Sequence, residues 1–251
     1  MFRPRIIPVL LLKNLALVKS VKFKNYNYIG DPINAVRIFN DLKADELVFL
    51  DIEATKSNKL ISLEFVKDVG EEANMPFAVG GGIKSNENIQ DIINAGAEKV
   101  IINSEAIRNP NFIREAANHF GSSTIVVCID VKKKFLKGNV VWSIGGSKAS
   151  KYTPIEFAKL MEQNGAGEII VQSIEKDGCM TGYDLELIRS ISEAITIPVV
   201  ALGGAGSLQD LDDVHKKSYA NGLAAGSIFI YQGTKKGVLI NYPSKEELKF
   251  S

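Results

Sequence analysis

A chain of 251 residues with 45% hydrophobic and 24% charged side chains can bury a sizeable core and has an ordinary globular composition. Its formal net charge of +1 excludes a general electrostatic attraction to nucleic acid or an anionic membrane surface. No apolar run approaches the roughly 20 residues that span a bilayer, and the two isolated cysteines, Cys128 and Cys179, lack metal-ligand spacing and suit a reducing cytoplasm.

The opening segment, Arg5-Ile6-Ile7-Pro8-Val9-Leu10-Leu11-Leu12, reads as a strand, and it lacks the apolar core and cleavage site of a signal peptide. Short runs rich in Val and Ile follow at 47–52, 77–79, 99–103, 125–130, 168–173, 198–202 and 222–226. Strands this continuously apolar are those of a parallel sheet covered by helices. Between them lie helical patterns, two opened by Pro32 and Pro154, and one running from Ser85 to a stop at Gly96. The basic run Lys132-Lys133-Lys134 is expected in a solvated loop, and His119 and His215 on helix surfaces. Eight βα units in one domain, residues 1–251, predict an α/β fold, a single (β/α)8 TIM barrel.

The two halves repeat. Ala44-Asp45-Glu46-Leu47-Val48 answers Ala166-Gly167-Glu168-Ile169-Ile170, and Pro76-Phe77-Ala78-Val79-Gly80-Gly81-Gly82 answers Pro198-Val199-Val200-Ala201-Leu202-Gly203-Gly204. A constant spacing over both pairs predicts two similar half-barrels.

Active sites of such barrels lie where strands end and βα loops begin. There stand the glycine turns Gly81-Gly82 and Gly203-Gly204, each beside a strand ending in small residues, Asn103-Ser104 and Gly226-Ser227. Glycine lets a backbone approach a phosphate, and a following helix N-terminus supplies free N–H groups. The turns could also be merely tight. Two symmetric sites would suit a ligand with two anionic groups. Carboxylates at strand ends are few: Asp51, Asp130, and Asp177 before Gly178. Each is a candidate acid or base, although Asp177 could simply form a turn. Lys13, Lys19 and Lys132 are candidate anion contacts. Neither a metal nor a redox cofactor is signalled.

Taken together, Arg5-Ile6-Ile7-Pro8, Gly30-Asp31-Pro32, Ala44 to Ile52, Val79-Gly80-Gly81-Gly82-Ile83, Lys99 to Ser104, Asp177-Gly178, Gly182-Tyr183-Asp184 and Gly203-Gly204-Ala205-Gly206 resemble HisF over nearly the whole chain. HisF is the cyclase subunit of imidazole glycerol phosphate synthase. The resemblance implies a HisH-like glutaminase partner in a heterodimer, with ammonia entering the N-terminal end of the barrel. It also implies an entrance ring of four charges, here Arg5, Glu46, Lys99 and Glu168. A purely structural ion network at those positions is the alternative.

One departure is informative. The family pattern places a catalytic aspartate on the first strand and another on the fifth. Asp130 matches the second, but Leu11 occupies the position of the first, with Asn14-Leu15 in place of Asp-Gly and Leu202 where a serine is usual. Leucine transfers no proton, and one lost acid or base costs roughly 10²–10⁴-fold in rate. The chain thus resembles a divergent HisF-like branch associated with surface polysaccharides. That branch works with a glutaminase and a third, ATP-using amidotransferase-like protein to convert an acetamido into an acetamidino group on a nucleotide-sugar such as a UDP-sugar. Imidazole glycerol phosphate synthesis ranks second, and a non-catalytic ammonia-conducting scaffold third.

Overall fold

The computed structural model describes residues 3–233, 237–244 and 246–248. Eight parallel strands form the barrel: β1 (Arg5–Lys13), β2 (Leu47–Asp51), β3 (Phe77–Gly80), β4 (Lys99–Ile102), β5 (Ile125–Lys134), β6 (Glu168–Ser173), β7 (Val199–Leu202) and β8 (Gly222–Ala225). Each pairs with the next, and β8 pairs with β1, so the eight strands close into a barrel. The register carries the half-repeat. Leu47 to Leu50 pair with Phe77 to Gly80 as Ile169 to Gln172 pair with Val199 to Leu202. The same four-residue register thus recurs at one strand pair in each half of the barrel.

Alternation along each strand divides the apolar side chains into two cores. Ile7, Val9, Val48, Ile101, Ile170 and Val200 belong to the cluster inside the barrel. Phe39, Phe49, Phe157 and Phe229 are fully buried in the larger cluster between the barrel and its helices. The covering helices are α1 (Pro32–Asp41), α2 (Leu63–Glu72), α3 (Asn86–Asn94), α4 (Ser104–Arg108), α5 (Asn111–Phe120), α6 (Pro154–Gln163), α7 (Leu185–Ser192), α8 (Leu208–Ser218) and α9 (Ser227–Ile230). Proline opens α1 and α6 as expected. Asp31 accepts from Asn34 N at 2.8 Å at the first, and Thr153 forms a capping box with Glu156 at the second. No helix among the described residues is long and apolar enough to cross a membrane.

Two insertions depart from the plain βα pattern. After β1 the chain turns through Asn14 and Leu15, both at positive φ (51° and 61°), into an antiparallel pair of strands, Ala16–Val21 and Lys24–Gly30. A two-residue turn of this kind favours Asn or Gly, so Leu15 is held there at a steric cost. After β5 the chain turns back as Gly138–Ser143, pairing Asp130 with Trp142 and Lys134 with Gly138. The basic run 132–134 therefore lies in a hairpin strand, not in a loop. Lys132 sits over the Trp142 ring, 5.0 Å from its centroid, which spends its charge locally.

Candidate active site

The C-terminal ends of the strands enclose a cavity of about 930 Å³. It brings together Leu11, Lys19, Asp51, Gly81, Gly82, Asn103, Ser104, Asp130, Asp177, Gly178, Gly203, Gly204, Gly226 and Ser227, all expected at the site from the sequence. Lys13 and Lys132 are not part of its lining. Lys13 instead pairs with Glu53 at 3.3 Å. His119 is exposed, and His215 is half-buried with Nδ1 2.8 Å from the Ala220 carbonyl.

Asp130 ends the inward row of β5 and is only 8% exposed. Burial pushes its carboxyl up to about 7, the nearby charge of Asp177 adds to that, and a hydrogen bond from the Cys128 thiol opposes it. The thiol lies 3.6 Å from Oδ1. Cys128 is buried in the barrel interior, directly beneath the carboxylate. An acid poised this close to neutrality can give or take a proton at physiological pH.

The other strand-end carboxylates are engaged. Asp51 Oδ1 accepts from the backbone N–H groups of Glu53 and Ala54, both at 3.0 Å, and so caps its own loop. Asp177 accepts from Ser20 Oγ at 3.0 Å and from Gln172 Nε2 at 3.2 Å, tying the loop after β6 to the hairpin after β1. Burial raises its carboxyl, against these bonds and the charge of Lys19. Lys19 is buried, donates to the Val9 carbonyl at 2.7 Å, and is lowered to about 8 by burial. Across the cavity, Leu11 on β1 and Leu202 on β7 make apolar wall.

The glycine turns need correction in one respect. The helices that follow them, α3 and α8, begin several residues later, and Ser85 and Ser207 already cap them. The helix starts at the cavity come from the neighbouring strands. Asn103-Ser104 opens α4, Gly226-Ser227 opens α9, and neither has a side-chain cap. The glycines themselves are required by the backbone. A Cβ on Gly82 would meet the Lys59 carbonyl at 1.8 Å, and one on Gly204 the Gly182 carbonyl at 2.3 Å, both at positive φ. Ser104 Oγ also accepts from Ile144 N at 3.0 Å, which holds the inserted loop after β5 over the site.

At the opposite end, Arg5, Glu46, Lys99 and Glu168 form one ring at the strand starts. Arg5 bonds both glutamates, and Lys99 Nζ lies 3.1 Å from Glu46 and 3.2 Å from Glu168. Each charge has two partners of opposite sign, which is what charge this well buried requires. Gln172, Ser20 and Cys128 are cavity residues that the sequence reading did not single out. For Gln172 a signal existed: it is the third inward residue of β6 after Glu168 and Ile170.

A family model described as "histidine biosynthesis protein" matches residues 5–236. A Pseudomonas aeruginosa protein, provisionally named imidazole glycerol phosphate synthase subunit hisF2, is 44% identical over 99% of both chains. Proteins named imidazole glycerol phosphate synthase subunit HisF are 42% identical in Alkaliphilus metalliredigens, over 92% of each chain, and 41% identical in Clostridium botulinum, over 98% of each.

Proposed function

The chain belongs to the histidine biosynthesis protein family as a HisF-type enzyme, and from that premise we propose that it aminates a phosphate-bearing sugar nucleotide with ammonia from a HisH-like glutaminase. The reaction converts an acetamido to an acetamidino group on a UDP-sugar for surface polysaccharide, in the cytoplasm. The observation that carries this reading is the apolar Leu11 facing the cavity where the family has an aspartate, while Asp130 is retained. One wall can no longer exchange protons, and the other still can.

In this reading ammonia enters through the ring of Arg5, Glu46, Lys99 and Glu168 and follows the apolar interior to the mouth. The sugar nucleotide spans the mouth between the two glycine turns, with Asn103 and Ser104 on one side and Lys19, Gly226 and Ser227 on the other. A third, ATP-using protein activates the amide oxygen. Ammonia adds to the amide carbon to form the new C–N bond, Asp130 takes the proton released from that nitrogen, and the oxygen departs with its activating group. A carboxyl near 7 is half ionised at neutral pH and can do this.

The test is reconstitution with the glutaminase, the ATP-using partner, glutamine and a UDP-N-acetyl sugar. Mass spectrometry should show one oxygen exchanged for NH. Unchanged sugar, together with imidazole glycerol phosphate formed from its own precursor, would favour the second reading. That reading rests on the names of the relatives that are about 42% identical.

A further inference from the structure

Gln172 is 4% exposed, yet its side-chain oxygen has no hydrogen-bond partner among the described residues. A buried acceptor left unpaired is destabilising, so the position calls for a reason. Its orientation is fixed, because Nε2 donates to Asp177 Oδ1, an acceptor that cannot take the oxygen end. The residue lines the cavity at the top of β6. In the barrel register it sits between Asp130 on β5 and Leu202 on β7.

Beneath it lies the inward column of β6, Ile170 and then Glu168 of the charged ring. The interior between ring and mouth is aliphatic, with Ile7, Val48, Val126 and Val200 in the same cluster. The thiol of Cys128, spent on Asp130, is the exception. A small polar molecule rising through this interior meets its first acceptors at Asp130 and Gln172. We propose that Gln172 Oε1 is the docking acceptor for ammonia at the barrel mouth, holding one N–H so that the nitrogen lone pair faces the substrate while Asp130 stands beside it to take a proton. This rests on the ammonia-using reading above and names the residue that receives the nitrogen.

Ammonia suits the site better than a larger donor. The acceptor is side by side with the proton-accepting carboxylate, and the walls on its other sides are the apolar Leu202 and Leu11. A nitrogen held there makes two hydrogen bonds, leaves its lone pair free, and relieves the unpaired oxygen. Losing one such bond weakens ammonia binding about tenfold, the equivalent of 1.4 kcal/mol.

Two measurements test the assignment. Side-chain carboxamide signals of the full-length protein are followed by NMR through a titration with ammonium chloride at alkaline pH. Potassium chloride and tetramethylammonium chloride serve as controls, and Gln172→Met assigns the signal by its loss. A saturable shift with ammonium alone supports the proposal. No shift, or the same shift with either control, overturns it. This arm needs no sugar and stands even if the amidination reading fails. In the reconstituted reaction driven by ammonium salt, Gln172→Met should raise the KM for ammonium about tenfold and leave the KM for the sugar nucleotide in place. Gln172→Asn, which keeps a shorter carboxamide, should fall between. A loss confined to kcat, or an equal rise in both KM values, would make Gln172 structural support for Asp177 and overturn the proposal.

Discussion

Cys128 and Asp130 occupy successive inward positions on β5, and the thiol of one donates to the carboxylate of the other at 3.6 Å. The bond favours the ionised carboxylate, whereas burial and Asp177 oppose ionisation and prevail, holding the group at about 7. If Asp130 accepts the proton from ammonia, turnover should rise with pH through about 7 and then level. Cys128→Ala removes the one contact that pulls the value down, so the rising limb should move upward by up to one pKa unit, roughly one hydrogen bond. Asp130→Asn should abolish turnover. A pH–rate profile indifferent to Cys128 would dissociate the thiol from the catalytic carboxylate.

The same burial has a stability signature. Unfolded, Asp130 returns to an ordinary 3.8, while folded it holds its proton to about 7. Between those values the native state binds more protons, so stability falls as pH rises from about 4 to 7, and the loss persists above 7. Asp130→Asn carries no charge and escapes this loss. It should melt higher than the parent at pH 8, by up to about 4 kcal/mol for three pKa units, with the difference shrinking toward pH 4. Parallel melting curves across that range would show that the carboxylate is solvated in the folded protein.

At the entrance, Lys99 bridges Glu46 and Glu168, and Arg5 bridges the same two. Lys99→Ala leaves the glutamates sharing one cation and opens the ring. It should depress glutamine-driven turnover about tenfold while ammonium-driven turnover, measured in parallel, falls far less, because added ammonium reaches the mouth without using the entrance. Equal losses in the two assays, with an unchanged melting temperature, would leave the ring as a structural ion cluster.

What could be read in advance was whatever is local or periodic. The apolar runs of all eight strands and the 46/168 and 82/204 correspondences repeat along the chain, so periodicity and spacing expose them. The inserted strands at 16–30 were hidden because the turn into them, Asn14-Leu15, and the turn between them, Lys22-Phe23, carry no glycine although all four residues have positive φ. Gln172 escaped notice because its partner Asp177 is brought back by a loop, and that loop is anchored in turn by Ser20, 157 positions away. The helix starts at the cavity were misassigned because a glycine turn followed by a helix looks the same in sequence whether or not Ser85 or Ser207 has already capped that helix.

Leu11 separates the two leading activities. It pairs with Leu50 across β1 and β2 at the level of the mouth and adds apolar surface opposite the Asp130 side of the barrel. Imidazole formation divides its proton transfers between two carboxylates in the family pattern, so a leucine at one position should cost roughly 10²–10⁴-fold in rate. The unmodified protein supplied with ammonium should therefore convert the histidine-pathway precursor at a rate near background. Leu11→Asp should restore only a trace, since Leu202 stays apolar and the Asn14-Leu15 turn still sets the path of the chain beyond β1. Restoration has its own cost: a carboxylate placed in this apolar wall should lower the melting temperature at pH 8, where it is charged, more than at pH 5. Complementation of a strain lacking its own cyclase subunit, with purified-protein kinetics alongside, decides the matter. Robust histidine-independent growth from the parent sequence would overturn sugar amidination and make the imidazole-forming reaction the activity of this barrel.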